Sequence, residues 1–428
     1  MRCPRENAPS RREVLKLLAA GVSGTSLSGW LGTLAAQAKA AQGKKCILLW
    51  MDGGPSQTET FDPKPDADAE IRGGLEAIKT SVPGILIGEK FPRLARLMHH
   101  AAVLRGMKTL EADHGRARIS MHTGFRPGAG GVDYPGLGSI VAAEIGRPDS
   151  ALPNFVVTGS PLNKYDVVRD PGYRGPSYQP LVLRVPGKGL EKALPPVPPE
   201  EFDGRVKLLE SLDARFRTST DAPAARAHEA GLAGALKLLR SDRSKAFDLT
   251  LEPPASAAPY GESDFGRGCL LARRLAEAGV AFVEVYLSNW DSHEKNVAEG
   301  TRDLMTQVDQ GASALIGDLA DRGMLQDTLI IWMGEFGRTP RTNRVGGRDH
   351  YAQGWTTVLF GGGVRGGQVI GSTDRQGVEV TDRAISAADF MGTVCRLLGI
   401  DYAKEIDTPG GRPVRIVEKG ERLIQELF

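Results

Sequence analysis

Short runs of consecutive apolar residues recur along the chain and stop abruptly at acidic or glycine-rich positions. "CILLWM" spans 46–51, "VAFVEVYL" spans 280–287, "TLIIWM" spans 328–333 and "TTVLFGGG" begins at Thr356. Runs of this length, apolar at nearly every position, suit strands covered on both faces rather than half-exposed hairpins. Between them the apolar residues change to helical spacing. "FPRLARLMHHAAVL" has Leu94, Leu97 and Met98 on one helical face, "CLLARRLAEAG" leads into the run at 280, and Leu304, Val308, Leu315 and Leu319 mark a long helix. A last helix passes through Phe390, Val394 and Leu398. Strands alternating with helices predict an α/β fold with a largely parallel sheet covered on both sides.

The segment 171–266 breaks the pattern. It carries "PGYRGPSYQP", "ALPPVPPEEF" and "LEPPASAAPYG" around helical residues from about Asp203 to Arg243. Proline clusters mark boundaries rather than core strands, so this stretch is expected to be a helical insertion within a domain of residues 41–428.

Composition narrows the classes. With 428 residues, 41% hydrophobic and 25% charged, the chain is long enough for a large core. Its net charge of +2 and the lack of basic blocks point away from nucleic acid. Residues 1–40 look different: Arg11 and Arg12 follow Ser10, a moderately apolar stretch comes next, and small residues surround Ala36, Ala38 and Ala40. This is the pattern of a twin-arginine export signal with its cleavage region, and it predicts a periplasmic or secreted protein that meets the twin-arginine machinery. No later stretch has the ~20 apolar residues of a membrane span, so the mature chain is expected to lack one. Cys46, Cys269 and Cys395 all sit in apolar runs and are expected to be buried free thiols.

The candidate chemistry lies where the apolar runs end. "CILLWM" ends at Asp52, the run at 280 leads to Asp291 and His293, and "TLIIWM" leads to Glu335; "GGRDHY" adds Asp349 and His350, and "EADHGRAR" adds His114. In parallel α/β sheets, ligands bind beyond the carboxyl ends of the strands, so these groups are expected to share one crevice. Several carboxylates there repel one another unless a cation is present. Mixed carboxylate and imidazole donors suit one or two divalent ions, zinc or manganese more than calcium. Each residue also has an ordinary reading: Asp52 before Gly-Gly-Pro as a turn residue, Glu335 paired with Arg338, Asp349 paired with Arg348. His99, His100, His122 and His228 are expected to be surface or packing residues.

These residues sit in motifs that resemble the alkaline phosphatase and sulfatase superfamily, and more closely the twin-arginine-exported, sulfatase-like domain of unknown function 1501 family. The motifs are "MDGGPSQTETFDPKPDA", "FPRLARLMHHAAVLRGM", "DHGRARISMHTGFRP", "FGRGCLLARRLAEAGVAFVEV", "NWDSHEKN", "MGEFGRTPR", "GGRDHY" and "GGGVRGGQVIG". The resemblance implies a doubly wound α/β/α sandwich with a metal site at the strand ends. It places Asp52 as the first-strand metal aspartate, Glu335 in the acidic position of the sulfatase "DHG" motif, His350 as the late metal histidine and Asp291 with His293 as an Asp/His ligand pair. Arg118 matches the arginine of the sulfatase signature.

The chain departs from this pattern at three points. His114 stands where sulfatases carry the residue that becomes formylglycine and phosphatases carry Ser or Thr. Phe336 stands where a His or Asn ligand is expected, and Asp291 and His293 are two residues apart rather than four. A water activated by the metal, with His114 as the replacement nitrogen ligand, is one reconciliation. His114 itself, or Ser56 or Thr58, acting as nucleophile are the others. Arg118 and Arg338 are expected to hold the oxygens of a sulfate or phosphate ester, on a small molecule or a polysaccharide. The expectation is therefore an exported metal-dependent ester hydrolase; the alternative is a superfamily member without catalysis, acting as an exported binding or assembly protein.

Overall fold

The computed structural model describes residues 43–159, 170–186, 190, 197–219, 223–294 and 300–428; the expected export signal lies outside them. Its central sheet has eight strands: β1 (Lys45–Met51), β2 (Ala101–Met107), β3 (Phe155–Thr158), β4 (Leu181–Leu183), β5 (Phe282–Leu287), β6 (Thr328–Met333), β7 (Trp355–Gly361) and β8 (Gln368–Ile370). Their spatial order is β8-β2-β7-β6-β1-β5-β3-β4. Every pairing is parallel except those that β7 makes with β2 and β6. Seven strands thus end at one edge of the sheet, and the reversed β7 begins there.

β1 explains why its run is apolar at every position. Ile47, Leu49 and Met51 face one core, while Cys46, Leu48 and Trp50 face the other. Burying one Leu or Ile side chain in full contributes about 1.5–3 kcal/mol, and both faces of β1 are buried. The first core is closed by α5 (Asp264–Glu277) and α6 (Arg302–Asp321), through Leu271, Leu275, Val308 and Leu315. The second is closed by α1 (His114–Thr123), α2 (Leu137–Glu144) and α7 (Ala387–Leu397), through Met121, Ile140, Phe390 and Val394. Helices on both faces of a mostly parallel sheet make the expected doubly wound sandwich. Cys46, Cys269 and Cys395 are buried and free.

Two local readings change. The stretch "FPRLARLMHHAAVL" is not one helix: a single turn (Pro92–Ala95) and a 3-10 turn (Met98–His100) precede β2. The apolar face at Leu94 and Met98 is buried, but Ala101–Leu104 is drawn into the sheet, where pairing on both sides outweighs helical spacing. The Pro-rich segment holds the helices α3 (Pro199–Ser219) and α4 (Pro223–Leu239), and it also supplies β4, the edge strand beside β3. Among the described residues, no helix is long and apolar enough to cross a membrane.

Candidate metal centre

The chain leaves β1 through a turn that only glycine permits. Gly53 and Gly54 have φ of 112° and 81°. A Cβ on Gly53 would lie 2.4 Å from the Asp291 nitrogen, and one on Gly54 would lie 2.6 Å from the Phe336 ring. The turn is tied to its neighbours: the Asp52 N–H donates to the Leu287 carbonyl at 2.9 Å, and the Asp52 carbonyl accepts from the Trp290 N–H at 3.1 Å. The ends of β1 and β5 are thereby held together, and Asp52 and Asp291 with them.

Asp52 and Glu335 are buried, at 4% and 0% exposure. Both face Arg118. Its guanidinium donates to Asp52 Oδ1 from Nε at 2.9 Å and lies 2.8 Å from it through Nη2, which is also 3.5 Å from Glu335 Oε1. Trp50 Nε1 donates to the same Asp52 oxygen at 3.2 Å, and the Gly53 N–H donates to both Glu335 oxygens at 3.1 and 3.2 Å. Burial, then the nearby Glu335 charge, push the Asp52 carboxyl above its ordinary range, against the pull of Arg118 and Trp50. Arg118 thus brings one positive charge to these two carboxylates.

α1 delivers two functional side chains from one face. Asp113 caps it by accepting from the Arg116 N–H at 3.1 Å, His114 is its first residue and Arg118 follows one turn later. His114 Nδ1 lies 2.6 Å from Glu335 Oε1, and Nε2 lies 3.0 Å from Asp291 Oδ2. That second contact is close but not aligned as a hydrogen bond, and Nε2 is buried without a hydrogen-bond partner. Burial disfavours the imidazolium, yet Asp291 and Glu335 outweigh it and hold the His114 pKa at about 9.

His293 and His350 complete the group. His350 enters on a two-residue ribbon, His350–Tyr351, paired with Gly337–Arg338 just before β7. Its Nδ1 is 2.8 Å from the Ala112 carbonyl, and its Nε2 is 3.2 Å from Asp291 Oδ1. His293 Nδ1 is 3.0 Å from Asp349 Oδ1, and its Nε2 lies 3.0 Å from both Asp291 Oδ1 and His350 Nε2. Asp291 is held far below the ordinary carboxyl range: burial opposes this, but His114, His350 and Arg338 prevail. His293 likewise holds the Asp349 carboxyl low.

All three imidazoles share one arrangement. A carbonyl or carboxylate at Nδ1 requires the proton there, so a neutral ring presents its Nε2 lone pair to the centre. The Nε2 atoms of His293 and His350, 3.0 Å apart, would then set lone pair against lone pair. Protons or a shared cation must resolve that conflict, and the donor set fits a metal on this ground. The ligand atoms of His114, Asp291 and His350 lie within 4.8 Å of one another. Imidazole and carboxylate donors together suit a divalent metal ion. An acceptor on the far nitrogen of each ring is the usual support of a metal-bound histidine.

The sequence-derived set is brought together at this edge of the sheet, but in three tiers. His114, Asp291, His293 and His350 face the centre. Glu335 and Asp349 stand behind two of the histidines, and Asp52 stands behind Arg118. Arg118 and Arg338 are each 2% exposed. Arg338 donates to Asp291 Oδ1 at 2.6 Å, to the Gly54 carbonyl at 2.9 Å and to the Gly53 carbonyl. Both guanidinia are thus buried and engaged within the protein, Arg118 with buried Asp52 and Arg338 with the partly exposed Asp291 and two backbone carbonyls. Glu335 does not pair with Arg338, and Arg348 pairs with buried Glu59 rather than with Asp349. Ser56 and Thr58 are buried and bonded to each other at 3.0 Å, with Thr58 donating to Glu59 at 3.0 Å.

Phe336, at the expected ligand position, packs with Ala117 and Ala352 and lies 5.0 and 4.5 Å from the His114 and His350 rings, as an apolar back wall. The Ala112 carbonyl is a functional group no side-chain motif reveals. His122, expected to be structural, lies 3.1 Å from buried Glu284 and 4.1 Å from the Trp50 ring, one layer beneath Asp52. Glu284, a lone charge inside "VAFVEVYL", is the signal that marks this layer. His99 lies beside Ser81, at 3.2 Å, and the side chain of His228 lies outside the described residues.

No curated relative matches the chain in sequence. In structure it is similar to the lipoteichoic acid synthase LtaP from Listeria monocytogenes, with 10% identity and a TM-score of 0.40 over 84% of this chain and 72% of that one. It is also similar to the PsFucS1 sulfatase from Pseudoalteromonas sp., with 13% identity and a TM-score of 0.41 over 86% and 70%. A third likeness is to the phosphonate monoester hydrolase SpPMH from Silicibacter pomeroyi, with 14% identity and a TM-score of 0.35 over 84% and 74%. Residues 43–428 match one family model as a whole, and the chain belongs to that family, described as protein of unknown function (DUF1501).

Proposed function

We propose that this protein is an exported, metal-dependent hydrolase of sulfate or phosphate esters, with one divalent ion, zinc first, held by His114, Asp291, His293 and His350. The observation that carries this reading is the convergence of three Nε2 atoms on Asp291, each ring anchored at Nδ1 by Glu335, Asp349 or the Ala112 carbonyl. Export rests on the twin-arginine pattern at Arg11 and Arg12.

A divalent ion in this group would withdraw charge from an ester oxygen and acidify a water. The chain's own groups do the rest. Arg338 fixes Asp291 Oδ1 and leaves Oδ2 toward His114. Glu335 and Asp349 keep the Nδ1 protons in place, so the rings cannot turn away. Phe336 excludes water from the back of the centre, which strengthens every charge interaction there. Burial of Ser56 and Thr58 favours water over a hydroxyl side chain as nucleophile.

The test is metal analysis of the purified protein together with a panel of aryl sulfates and aryl phosphates. About one equivalent of zinc, lost in His114→Ala, and ester turnover lost with it are expected. Zinc below stoichiometry, or metal content unchanged in His114→Ala, would overturn the reading. A metal-loaded protein that turns over no ester would instead have a binding role.

A further inference from the structure

The motif "GGRDHY" brings Asp349 and His350 to the candidate metal centre, yet the arginine just before them is fully buried. Arg348 is 0% exposed and its partner Glu59 is 1% exposed. All five guanidinium N–H groups are used. Nε and Nη2 donate to Glu59 Oε1 at 2.9 and 2.5 Å, Nη2 also donates to the Ile71 carbonyl at 2.7 Å, and Nη1 donates to the Thr339 carbonyl at 2.9 Å and to the Pro340 carbonyl. The other Glu59 oxygen accepts from Thr58 at 3.0 Å. Four stretches of chain meet on this one side chain: the segment after β1, the single turn Ala69–Arg72, the residues after the ribbon strand Gly337–Arg338, and the loop that returns to His350.

The packing around the pair is tight. A Cβ on Gly73 would lie 2.2 Å from Glu59 Oε1 and 2.8 Å from Arg348 Nη2, and one on Gly347 would lie 2.0 Å from the His293 carbonyl oxygen. The backbone of the same loop is bonded to the supports of the centre. The Arg348 carbonyl accepts from Arg338 Nη1 at 3.2 Å, and Arg338 holds Asp291. The Asp349 carbonyl accepts from the Thr339 N–H at 2.8 Å. Asn343 ties the loop to the neighbouring ligand, donating to the His293 carbonyl at 2.9 Å and accepting from the Gly347 N–H at 3.0 Å. A shift of Arg348 therefore shifts Asp349 and His350 relative to Asp291 and His293. The centre tolerates little of this: the Nε2 atoms of His293 and His350 stand 3.0 Å apart, and a ligand set must be held to within about 0.5 Å. A buried ion pair adds little net stability over an apolar pair of the same size, so fixing geometry is the role that distinguishes this one.

We propose that the Glu59–Arg348 pair positions the metal ligands: it fixes the loop that carries His350, and through Asp349 it fixes His293. The presence of an ion rests on the hydrolase reading above; the placement of the rings does not.

The test uses the full chain, first metal-free and then loaded with cobalt(II), whose visible spectrum reports ligand geometry. Arg348→Lys keeps the charge but cannot make the five donations. It is expected to weaken cobalt binding about tenfold or more and to alter the visible bands. In the metal-free variant the imidazole nitrogen signals of His293 and His350, two of the seven histidines, are expected to move while that of His99 stays. Arg273→Lys is the control: Arg273 is 2% exposed and pairs with Glu252, Glu277 and Asp318, away from these groups. It should lower stability and leave cobalt binding and the imidazole signals unchanged. Unmoved imidazole signals in Arg348→Lys, or unchanged affinity in a protein that binds cobalt, would overturn the proposal, as would equal changes in Arg273→Lys. Should Arg348→Lys not fold, Glu59→Gln keeps the volume, removes the charge and is read by the same criteria. If the wild-type protein takes up no metal, the hydrolase reading falls and the imidazole signals alone decide the positioning role.

Discussion

His114 Nδ1 stands 2.6 Å from Oε1 of a fully buried Glu335, 221 residues away in the chain. That contact sets the tautomer of His114 and aims its other nitrogen at Asp291 and His350. Replacing Glu335 by Gln keeps the volume and removes the charge. Zinc affinity is expected to fall about 10- to 100-fold, the usual effect of losing such a supporting carboxylate. Competition titration with a coloured chelator measures it, and an unchanged affinity would show that Glu335 does not orient the ring.

The pH dependence follows from the raised pKa of His114. In metal-free protein its pKa is about 9, against 6.5 ordinarily. A group with a raised folded-state pKa stabilises the fold fully below its ordinary value and loses that contribution as pH rises through the folded value. The metal-free protein should therefore lose stability between about pH 6.5 and 9 relative to His114→Gln, as read by denaturant titration at each pH. Zinc uptake in the same window should release protons, because the ion takes the place of the proton on Nε2. Calorimetry in buffers of different ionisation enthalpy counts them.

Arg118 is the cation between Asp52 and Glu335. Arg118→Met leaves both carboxylates buried with no guanidinium, a change that costs about 3–5 kcal/mol when one partner of a buried ion pair is removed. Equilibrium unfolding reports the loss. A stability change below about 1 kcal/mol would place the pair among the weak contacts typical of exposed surfaces.

The turn after β1 gives a backbone test. Gly53→Ala puts a methyl 2.4 Å from the Asp291 nitrogen at a φ of 112°. Strain of about 1–3 kcal/mol is expected, along with displacement of Asp291 and reduced zinc content. Gly43→Ala, where a Cβ meets nothing within 4 Å, is the control for the backbone term, since its φ of 69° is also positive.

The sequence by itself determined the frame. Near-continuous apolar runs in β1, β5 and β6 marked a sheet buried on both faces, and the acidic residues that follow those runs marked the working edge. It also carried, through its motifs, the family and almost every side chain at that edge. What it did not determine was which group faces which. Asp52 and Glu335 look like metal ligands when only strand ends are considered, yet Arg118 from α1 holds both. Neither the reversed direction of β7, which brings His350 to the same edge, nor the Ala112 carbonyl that fixes its ring has a local signature. The reason is physical. Burial along a strand is set by neighbours one or two residues away and leaves a period in the sequence. A hydrogen bond between residues hundreds of positions apart is set by where two strands and a helix end in space, and only the packed sheet decides that.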